Sequence, residues 1–452
     1  MQEEISRDTF TSLYIFVTNR CNLACSYCYE SERTGDMSRE TMKRTIDWLI
    51  GQRDRLEKAR PDQEISITFF GGEPLLNFPI VKYGMEYCKE KFNEIGITVG
   101  LYILTNGTVL TEEMCKFFRE AKKWRGINFQ LQVSMDGCEE SHDKNRIFAG
   151  SGLGSFSAVI NNVKRLREIF PQLIVRQTVV PSNISNLSKD FTALLESGGV
   201  ITNLTPIVEG DWSRENIDTY SKELSDCIDR FMEFPGHEKM NFNQVHGILL
   251  RMGDRVFNSQ HGCRAGHKLL GVTVDGDLYP CHRFVSYKSK FDYNLGNVHT
   301  GGIDYNCENW LKLINMHAEA DKECEHCKVY TCNRCYATNL SLNNPSGQRP
   351  TNGYCAMNLA ITNMLKKKVI QLLLDKKIEL QKWEIIFMED NKKIVVNLGD
   401  GTEICDDFEE LVSRCLVELI RENKIIKSKL FNIEQYFGIN EIPKTDQCSI
   451  KR

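Results

Sequence analysis

No stretch of the 452-residue chain stays apolar long enough to cross a bilayer. The opening Met1-Gln2-Glu3-Glu4 lacks the basic and apolar succession of a secretory signal. An excess of positive charge is also missing: the formal net charge is -4 at pH 7, which argues against a nucleic-acid polyanion as the main partner. These absences lead us to expect a cytoplasmic protein with neither nucleic acid nor membrane as a partner. What remains is ordinary for a globular chain, with 41% hydrophobic and 26% charged residues, enough to bury a sizeable core. The length predicts roughly two to four domains. Only cysteine is out of proportion, with 18 residues. In a cytosolic setting, clustered cysteines bind metals or do redox chemistry more often than they pair as disulfides.

Three of them stand close together as Cys21-x3-Cys25-x2-Cys28, directly after the apolar run Ser12–Thr18. Thiolates are soft ligands, suited to zinc or to iron–sulfur clusters. A structural zinc site wants four protein ligands, and no fourth Cys or His lies nearby in sequence. A four-iron cluster held by three cysteines leaves one iron free for another ligand. The motif resembles the signature of the radical S-adenosylmethionine (SAM) enzymes. That resemblance implies a 4Fe-4S cluster on Cys21, Cys25 and Cys28. Its free iron chelates the amino and carboxylate groups of SAM, and reduction releases a 5'-deoxyadenosyl radical.

From Ser12 to about Phe234, short β-rich runs alternate with amphipathic helical patterns. The runs are Ser12–Thr18, Glu64–Phe70, Thr98–Thr105, Asn128–Ser134, Leu173–Val180 and Leu204–Val208. One helix opens at Ser38 as N-cap, with Met42, Ile46, Leu49 and Ile50 on one face. Serial β/α units predict an α/β fold with a parallel sheet, open or curled into a partial (β/α)6 barrel. Ligands of such sheets bind beyond the carboxyl ends of the strands, where the cysteine loop falls.

Other elements share that edge: Gly71-Gly72-Glu73-Pro74, Thr105-Asn106-Gly107 and Ser134-Met135-Asp136-Gly137 each follow a strand, and Arg146 comes soon after. Taken alone, Gly71 to Pro74 is equally a simple turn, Ser134 a turn-capping hydroxyl and Arg146 a solvated arginine. The family resemblance gives them further roles. Gly71, Gly72, Glu73 and Pro74 match the element whose backbone binds the SAM amino group. Ser134 and Arg146 match positions contacting its ribose or carboxylate, and Tyr27 matches the aromatic that packs on adenine. The run Gly150-Ser151-Gly152-Leu153-Gly154 does not directly follow a strand and reads as a flexible connection into a helix near Ser155.

Beyond a polar helix near Ser213–Phe234 and a linker through Gly236, cysteines become dense. A hairpin with strands Val272–Val274 and Leu278–Tyr279, turning at Asp275-Gly276, would bring Cys281 close to Cys263. The block Cys324-x2-Cys327-x4-Cys332-x2-Cys335 follows, then Cys355. By spacing alone that block also suits a zinc knuckle. With Cys263 and Cys281, the whole resembles the SPASM domain, which implies two auxiliary 4Fe-4S clusters. The last two gaps of the block are each one residue shorter than the usual family pattern, which leaves Cys332 and Cys335 open between the clusters. No thiol stands within Phe257–Gly262, where many SPASM domains carry one more ligand. Cys263, Cys281 and Cys335 would then hold the first cluster with an open iron, and Cys324, Cys327, Cys332 and Cys355 the second. Cys307 or His261 is the alternative fourth ligand.

The resemblance covers roughly the first 360 residues. It divides the chain into a radical SAM partial barrel (1–235), a SPASM domain (236–360) and an extension of open role (361–452). In the extension a helix over Ala356–Lys376, a hairpin over Trp383–Phe387 and Ile394–Leu398, and an amphipathic helix over Phe408–Leu419 are expected. The extension reads either as a peptide-recognition module or as a packing cap. The family's best-fitting activity is hydrogen abstraction from a ribosomally made precursor peptide, followed by thioether cross-linking from its cysteines, as in ranthipeptide-type maturases. It implies a low-potential electron donor such as flavodoxin or ferredoxin. The alternatives are a sulfatase maturase forming formylglycine and an electron-transfer iron–sulfur protein without SAM chemistry. Sulfatase maturases resemble the chain around Tyr279-Pro280-Cys281 but carry an aspartate base at the next position. Here it is His282, a residue able to accept a proton near neutral pH. No catalytic acid, base or nucleophile is assigned beyond these.

Overall fold

The computed structural model describes residues 10–52, 65–199, 201–242, 263, 265–266, 268–318, 324, 327, 329, 332, 334–342, 347, 349–374, 384–388, 393–397 and 402–405. The helix expected at Phe408–Leu419 and His261 lie outside them.

Strands and helices alternate from the start. They are β1 (Ser12–Thr18), α1 (Arg39–Gly51), β2 (Ile65–Gly71), α2 (Phe78–Glu94), β3 (Val99–Thr105), α3 (Glu112–Ala121) and β4 (Ile127–Ser134). Next come α4 (Glu139–Asn145), α5 (Phe156–Arg167), β5 (Ile174–Val179), α6 (Leu187–Glu196), β6 (Ile201–Pro206), α7 (Arg214–Glu233) and β7 (Asn241–Phe242). These seven strands pair in chain order, all parallel, as crossover helices require. The helix faces carry the core. Met42, Ile46 and Leu49 of α1 are fully buried, and Ser38 caps that helix by accepting from Thr41 N at 3.0 Å. Phe118, Phe129 and Phe170 pack edge-on or tilted between α3, β4 and the segment after α5.

The sixth strand lies at Ile201–Pro206, three residues earlier than the apolar run suggested. Its pairing with β5 runs from Ile174↔Ile201 to Val179↔Pro206, so the backbone register, not the position of Leu204, sets its start. The chain after α7 then turns through Gly236, at φ +82°, and adds β7 to the same sheet. The boundary expected at 235 falls in that turn.

The cysteine-rich segment continues the sheet at its opposite edge. It begins with β8 (Leu269–Val272), β9 (Asp277–Tyr279), α8 (His282–Ser286), β10 (Gly296–Asn297) and β11 (Gly302–Ile303). It closes with α9 (Glu308–Ala318), α10 (Tyr336–Ser341) and α11 (Asn352–Leu374). The β8–β9 hairpin turns at Asp275-Gly276 as expected, and β8 pairs in parallel with β1 from Ser12↔Leu269 to Ile15↔Val272. The sheet order β11-β10-β9-β8-β1-β2-β3-β4-β5-β6-β7 therefore places the first hairpin strand, β8, beside the strand that launches the cysteine loop. In the extension, β12 (Glu384–Met388), β13 (Lys393–Asn397) and β14 (Thr402–Cys405) form a separate antiparallel sheet, one strand more than the expected hairpin. No described helix is long and apolar enough to cross a membrane.

At the end of β2 the chain passes β1 too closely for side chains. A Cβ on Gly71, whose φ is +130°, would sit 2.0 Å from Thr18 O, and one on Gly72 2.4 Å from Arg20 O. These glycines thus admit the cysteine loop's own backbone. Gly71→Ala should destabilise the protein by about 2–5 kcal/mol, combining left-handed strain with overpacking. Urea unfolding of the metal-free protein measures it; wild-type stability would show that the approach is not rigid.

Candidate functional site

The cysteine loop leaves β1 in a turn fixed by polar side chains. Thr18 Oγ1 donates to Asp36 Oδ1 at 2.6 Å and accepts from Arg20 N at 3.1 Å, while Arg20 Nε donates to Asp36 at 2.9 Å. Its far side lies along the segment after α4. Ala24 N reaches Ile147 O (2.8 Å), Ala149 N reaches Asn22 O (2.9 Å) and Ser26 N reaches Asn145 O (2.9 Å). The Gly150–Gly154 run, read as flexible, is closed by an Ile147↔Gly154 bridge and feeds α5 after Ser155.

Cys21 and Cys25 are half-buried and Cys28 is exposed; all three are free thiols. Leu23 N lies 3.4 Å and Asn106 Nδ2 3.8 Å from Cys21 Sγ, and Arg146 Nη1 lies 4.0 Å from Cys25 Sγ. Burial pushes the Cys25 thiol up to about 11 against the pull of Arg146, and pushes Cys21 up as well. Thiols held this way want a cationic partner. Donors pointing at sulfur and thiols penalised by burial fit a thiolate-ligated iron–sulfur body. No three His, Cys, Asp or Glu among the described residues converge as a single-ion site.

Sequence reading passed over the hub of this site. Asp136, with no exposed surface, accepts from Arg146 Nε (2.9 Å) and Nη2 (3.2 Å), Thr178 N (3.0 Å) and the Tyr27 hydroxyl. Arg146 also lies over the Tyr27 ring, 5.3 Å from its centre. Burial drives the Tyr27 hydroxyl well above its ordinary range, with Arg146 opposing, so it stays a donor. Arg146 is thus a buried, paired arginine. The signal was available in Ser134-Met135-Asp136-Gly137, an acid at a strand end within reach of a later arginine. Ser134 is half-buried at the end of β4, opposite Arg176 of β5.

Glu73 also faces inward. Its carboxylate accepts from Leu75 N (3.0 Å), Thr105 Oγ1 (2.8 Å) and Asn106 N (2.6 Å), while Gly72 N and Glu73 N donate to Thr18 O and Arg20 O. The side chain braces the Thr105-Asn106-Gly107 turn. Pro74 starts the single 3-10 turn that follows. Backbone carbonyls of the Gly71–Pro74 element are what it can offer an ammonium.

The later cysteines form two groups. Cys263, Cys281 and Cys335 act on one another: burial, then the neighbouring Cys335, pushes Cys263 up to about 12, and Cys281 stands well above its ordinary range with Cys263 and Cys335 beside it. Cys332 is pushed up to about 11 by burial, with Cys355 and Cys324 as neighbours; Cys327 is exposed. Cys307 instead accepts from Trp310 N at 3.3 Å in the first turn of α9.

Arg283, one residue into α8, ties these thiols to the cysteine loop. It donates to Glu209 Oε1 and to Thr338 Oγ1, each at 2.5 Å, and covers the Tyr29 ring at 4.5 Å. Thr338 donates onward to Cys335 Sγ at 3.4 Å. Burial pushes the Glu209 carboxyl up, but Arg283 and the Tyr287 hydroxyl outweigh it and hold the group low. Glu30 accepts from Ser286 of α8 at 2.6 Å, and burial raises its carboxyl to about 7. A cavity of about 630 Å³ opens here, lined by Tyr27, Cys28, Tyr29, Asn145, Glu209 and Tyr287.

His282 corrects one expectation. It stacks on Tyr14 (4.5 Å) and meets Phe70 (5.4 Å), and its Nδ1 is sealed without a partner. Burial, with Arg283 and Arg176 nearby, pushes it down to about 3, so it is a weak proton acceptor rather than one poised near neutrality.

Residues 15–187 match the Radical SAM superfamily, and that segment is a radical SAM domain. The chain is similar to a cysteine-type anaerobic sulfatase-maturating enzyme of Clostridium novyi, 27% identical over 360 residues, covering 73% of this chain and 88% of that protein. It is 35% identical over 133 residues to an uncharacterized protein of Methanocaldococcus jannaschii, spanning 29% of this chain and only 41% of that protein's length. The fold matches native anSMEcpe with bound AdoMet and Cp18Cys peptide at a TM-score of 0.64 and 21% identity, over 81% of this chain and 99% of that one.

Two predictions follow from the buried carboxylates. Asp136→Asn leaves the Arg146 charge uncompensated and should cost about 3–5 kcal/mol, measured by urea unfolding; a neutral substitution would mean the pair is solvated. Burial, offset in part by its three hydrogen bonds, raises the Glu73 carboxyl from 4.5 to about 7. Its stabilising share is therefore full below about pH 4.5 and lost as pH rises through about 7, amounting to about 3 kcal/mol. The wild-type-minus-Glu73→Gln difference in unfolding free energy should fall across that window; a flat difference would show that Glu73 ionises normally.

Proposed function

We propose, with the radical SAM domain at residues 15–187 as premise, that this protein is a radical SAM enzyme acting on peptides. In its finer form the proposal is a maturase that takes hydrogen from a precursor peptide and forms thioether cross-links from its cysteines. Bound by Cys21, Cys25 and Cys28, a 4Fe-4S cluster with SAM supplies a 5'-deoxyadenosyl radical able to abstract that hydrogen. The chain's own part is to bind, orient and keep water out. Tyr27, Ser134 and Arg146, with the Gly71-Gly72-Glu73-Pro74 backbone, surround the place for SAM. Two auxiliary 4Fe-4S clusters would take Cys263, Cys281 and Cys335, and Cys324, Cys327, Cys332 and Cys355. A flavodoxin or ferredoxin would supply the low-potential electron.

The observation that carries the thioether reading is the group Cys263, Cys281 and Cys335, three mutually acting thiols joined through Arg283 and Tyr29 to the cysteine loop. If Cys263, Cys281 and Cys335 held a cluster, three protein ligands would leave room for a peptide thiolate, and these residues would so hold the peptide sulfur near the carbon to be joined to it. Positioning of that kind is worth up to about 7–11 kcal/mol in well-oriented systems. Formylglycine formation is the second reading, favoured by similarity to the Clostridium novyi enzyme. The weak basicity of His282 tells against it.

The anaerobically reconstituted, reduced enzyme should convert SAM to 5'-deoxyadenosine. Replacing Cys21, Cys25 and Cys28 together by alanine should abolish that while leaving the C-terminal iron bound. Undiminished 5'-deoxyadenosine from the triple variant would refute the assignment. With cysteine-containing precursor peptides encoded beside the gene, loss of two hydrogens and of one free thiol per cross-link is expected. A product that reacts with a hydrazide probe would instead establish formylglycine.

A further inference from the structure

Two short helices of the cysteine-rich segment begin right after a thiol, α8 after Cys281 and α10 after Cys335. Arg283 of α8 pins them together, its Nη1 donating to Thr338 Oγ1 of α10 at 2.5 Å. The same Nη1 donates to Glu209 Oε1, also at 2.5 Å, and that oxygen takes the Tyr287 hydroxyl at 2.5 Å as well. Glu209 and Tyr287 line the cavity of about 630 Å³, so this set of bonds runs from the cavity wall toward the thiols. Thr338 itself has no exposed surface, which leaves its hydroxyl no solvent to turn to. A hydroxyl carries a single proton. With Arg283 donating to the oxygen, that proton has two acceptors among the described residues, Glu209 Oε1 and Cys335 Sγ, each 3.4 Å away.

Equal distances do not make equal acceptors. A hydroxyl bonds oxygen best near about 2.7–2.8 Å and poorly beyond about 3.0 Å. Glu209 is therefore too far for it, and is already served by Arg283 and Tyr287. Sulfur is a larger atom, and the same 3.4 Å is an ordinary separation for a hydroxyl donating to it. We propose that Thr338 is a positioning residue for the iron–sulfur cluster that Cys335 holds, raising its reduction potential by donating to the Cys335 sulfur. Glu209 fixes Arg283, Arg283 fixes the Thr338 oxygen as an acceptor, and the hydroxyl proton is thereby aimed at the thiolate. Donors on the sulfur ligands stabilise the more negative, reduced form of a cluster and so raise its potential. A charged donor upstream polarises the hydroxyl and strengthens that bond. The inference rests on the auxiliary-cluster reading above and holds whichever auxiliary cluster takes Cys335.

The test is a redox titration of the full-length, reconstituted enzyme with titanium(III) citrate, followed by electron-paramagnetic resonance. The signal of the cluster on Cys21, Cys25 and Cys28 serves as internal reference. Thr338→Val keeps the side chain's shape and removes the donor. At a fixed solution potential it should lower the reduced-to-oxidised ratio of one auxiliary cluster by about threefold to tenfold, the upper end being about 59 mV for one electron, and leave the reference in place. Thr338→Ser restores the hydroxyl and should return that ratio to within about twofold of wild type. Thr338→Ala carries the same expectation as the valine variant and decides the matter if valine prevents iron loading. A change below about threefold in the variants without a hydroxyl, or a rise in place of a fall, overturns the inference alone. So does a serine variant that behaves like valine, which would assign Thr338 to packing. Iron sufficient only for the cluster on Cys21, Cys25 and Cys28 overturns the auxiliary-cluster reading together with it.

Discussion

The Asp136 carboxylate takes four hydrogen bonds from three residues far apart in the chain: Tyr27 in the cysteine loop, Arg146 beyond α4, and the backbone of Thr178 on β5. Buried charge of this kind is costly unless every oxygen is satisfied. Satisfying it forces the loop, the segment after α4 and the fifth strand into one geometry. Arg146 can then aim its remaining edge at Cys25, and the loop can lie along Asn145–Ala149. The thiols are placed by this network more than by their own neighbours. Within the loop itself Leu23, almost fully buried, adds an apolar anchor.

A second set of constraints joins the first strand to the cysteine-rich segment. Parallel pairing of β8 with β1 puts the hairpin and the cysteine loop on adjacent strands of one sheet. Glu30 with Ser286, and Tyr29 under Arg283, then fasten the loop to α8, the helix that begins right after Cys281. Glu209, from beyond β6, closes the arrangement by holding Arg283 and Tyr287 together. Both thiol groups are thus fastened to α8 and its partners. Such coupling is what a site needs if reacting groups arriving from two sides must meet within a bond length.

Much of this was legible beforehand for a simple physical reason. Parallel strands buried on both faces appear as short apolar runs, so six strands were found with ends within a few residues. Short-range spacing also exposed the cysteine loop and the hairpin turn at Gly276. The two-residue strand β7 was missed because Asn241-Phe242 carries no periodicity and exists only through its pairing with β6. Asp136 and Arg283 were passed over in the sequence because their placement comes from what the fold sets against them.

The burial of His282 shows how that placement can reverse a chemical expectation. An imidazole in water titrates near neutrality and serves as a base. Stacked on Tyr14, against Phe70 and under the field of two arginines, the same ring is held neutral. Burial first, and then the positive charge of these two arginines, disfavours a second cation there and suppresses base chemistry at His282. The burial that raises Cys263 and Cys281 opposes thiolate formation there until a cationic partner is bound. Arg283 meanwhile is committed to Glu209 and so belongs to the frame of the site.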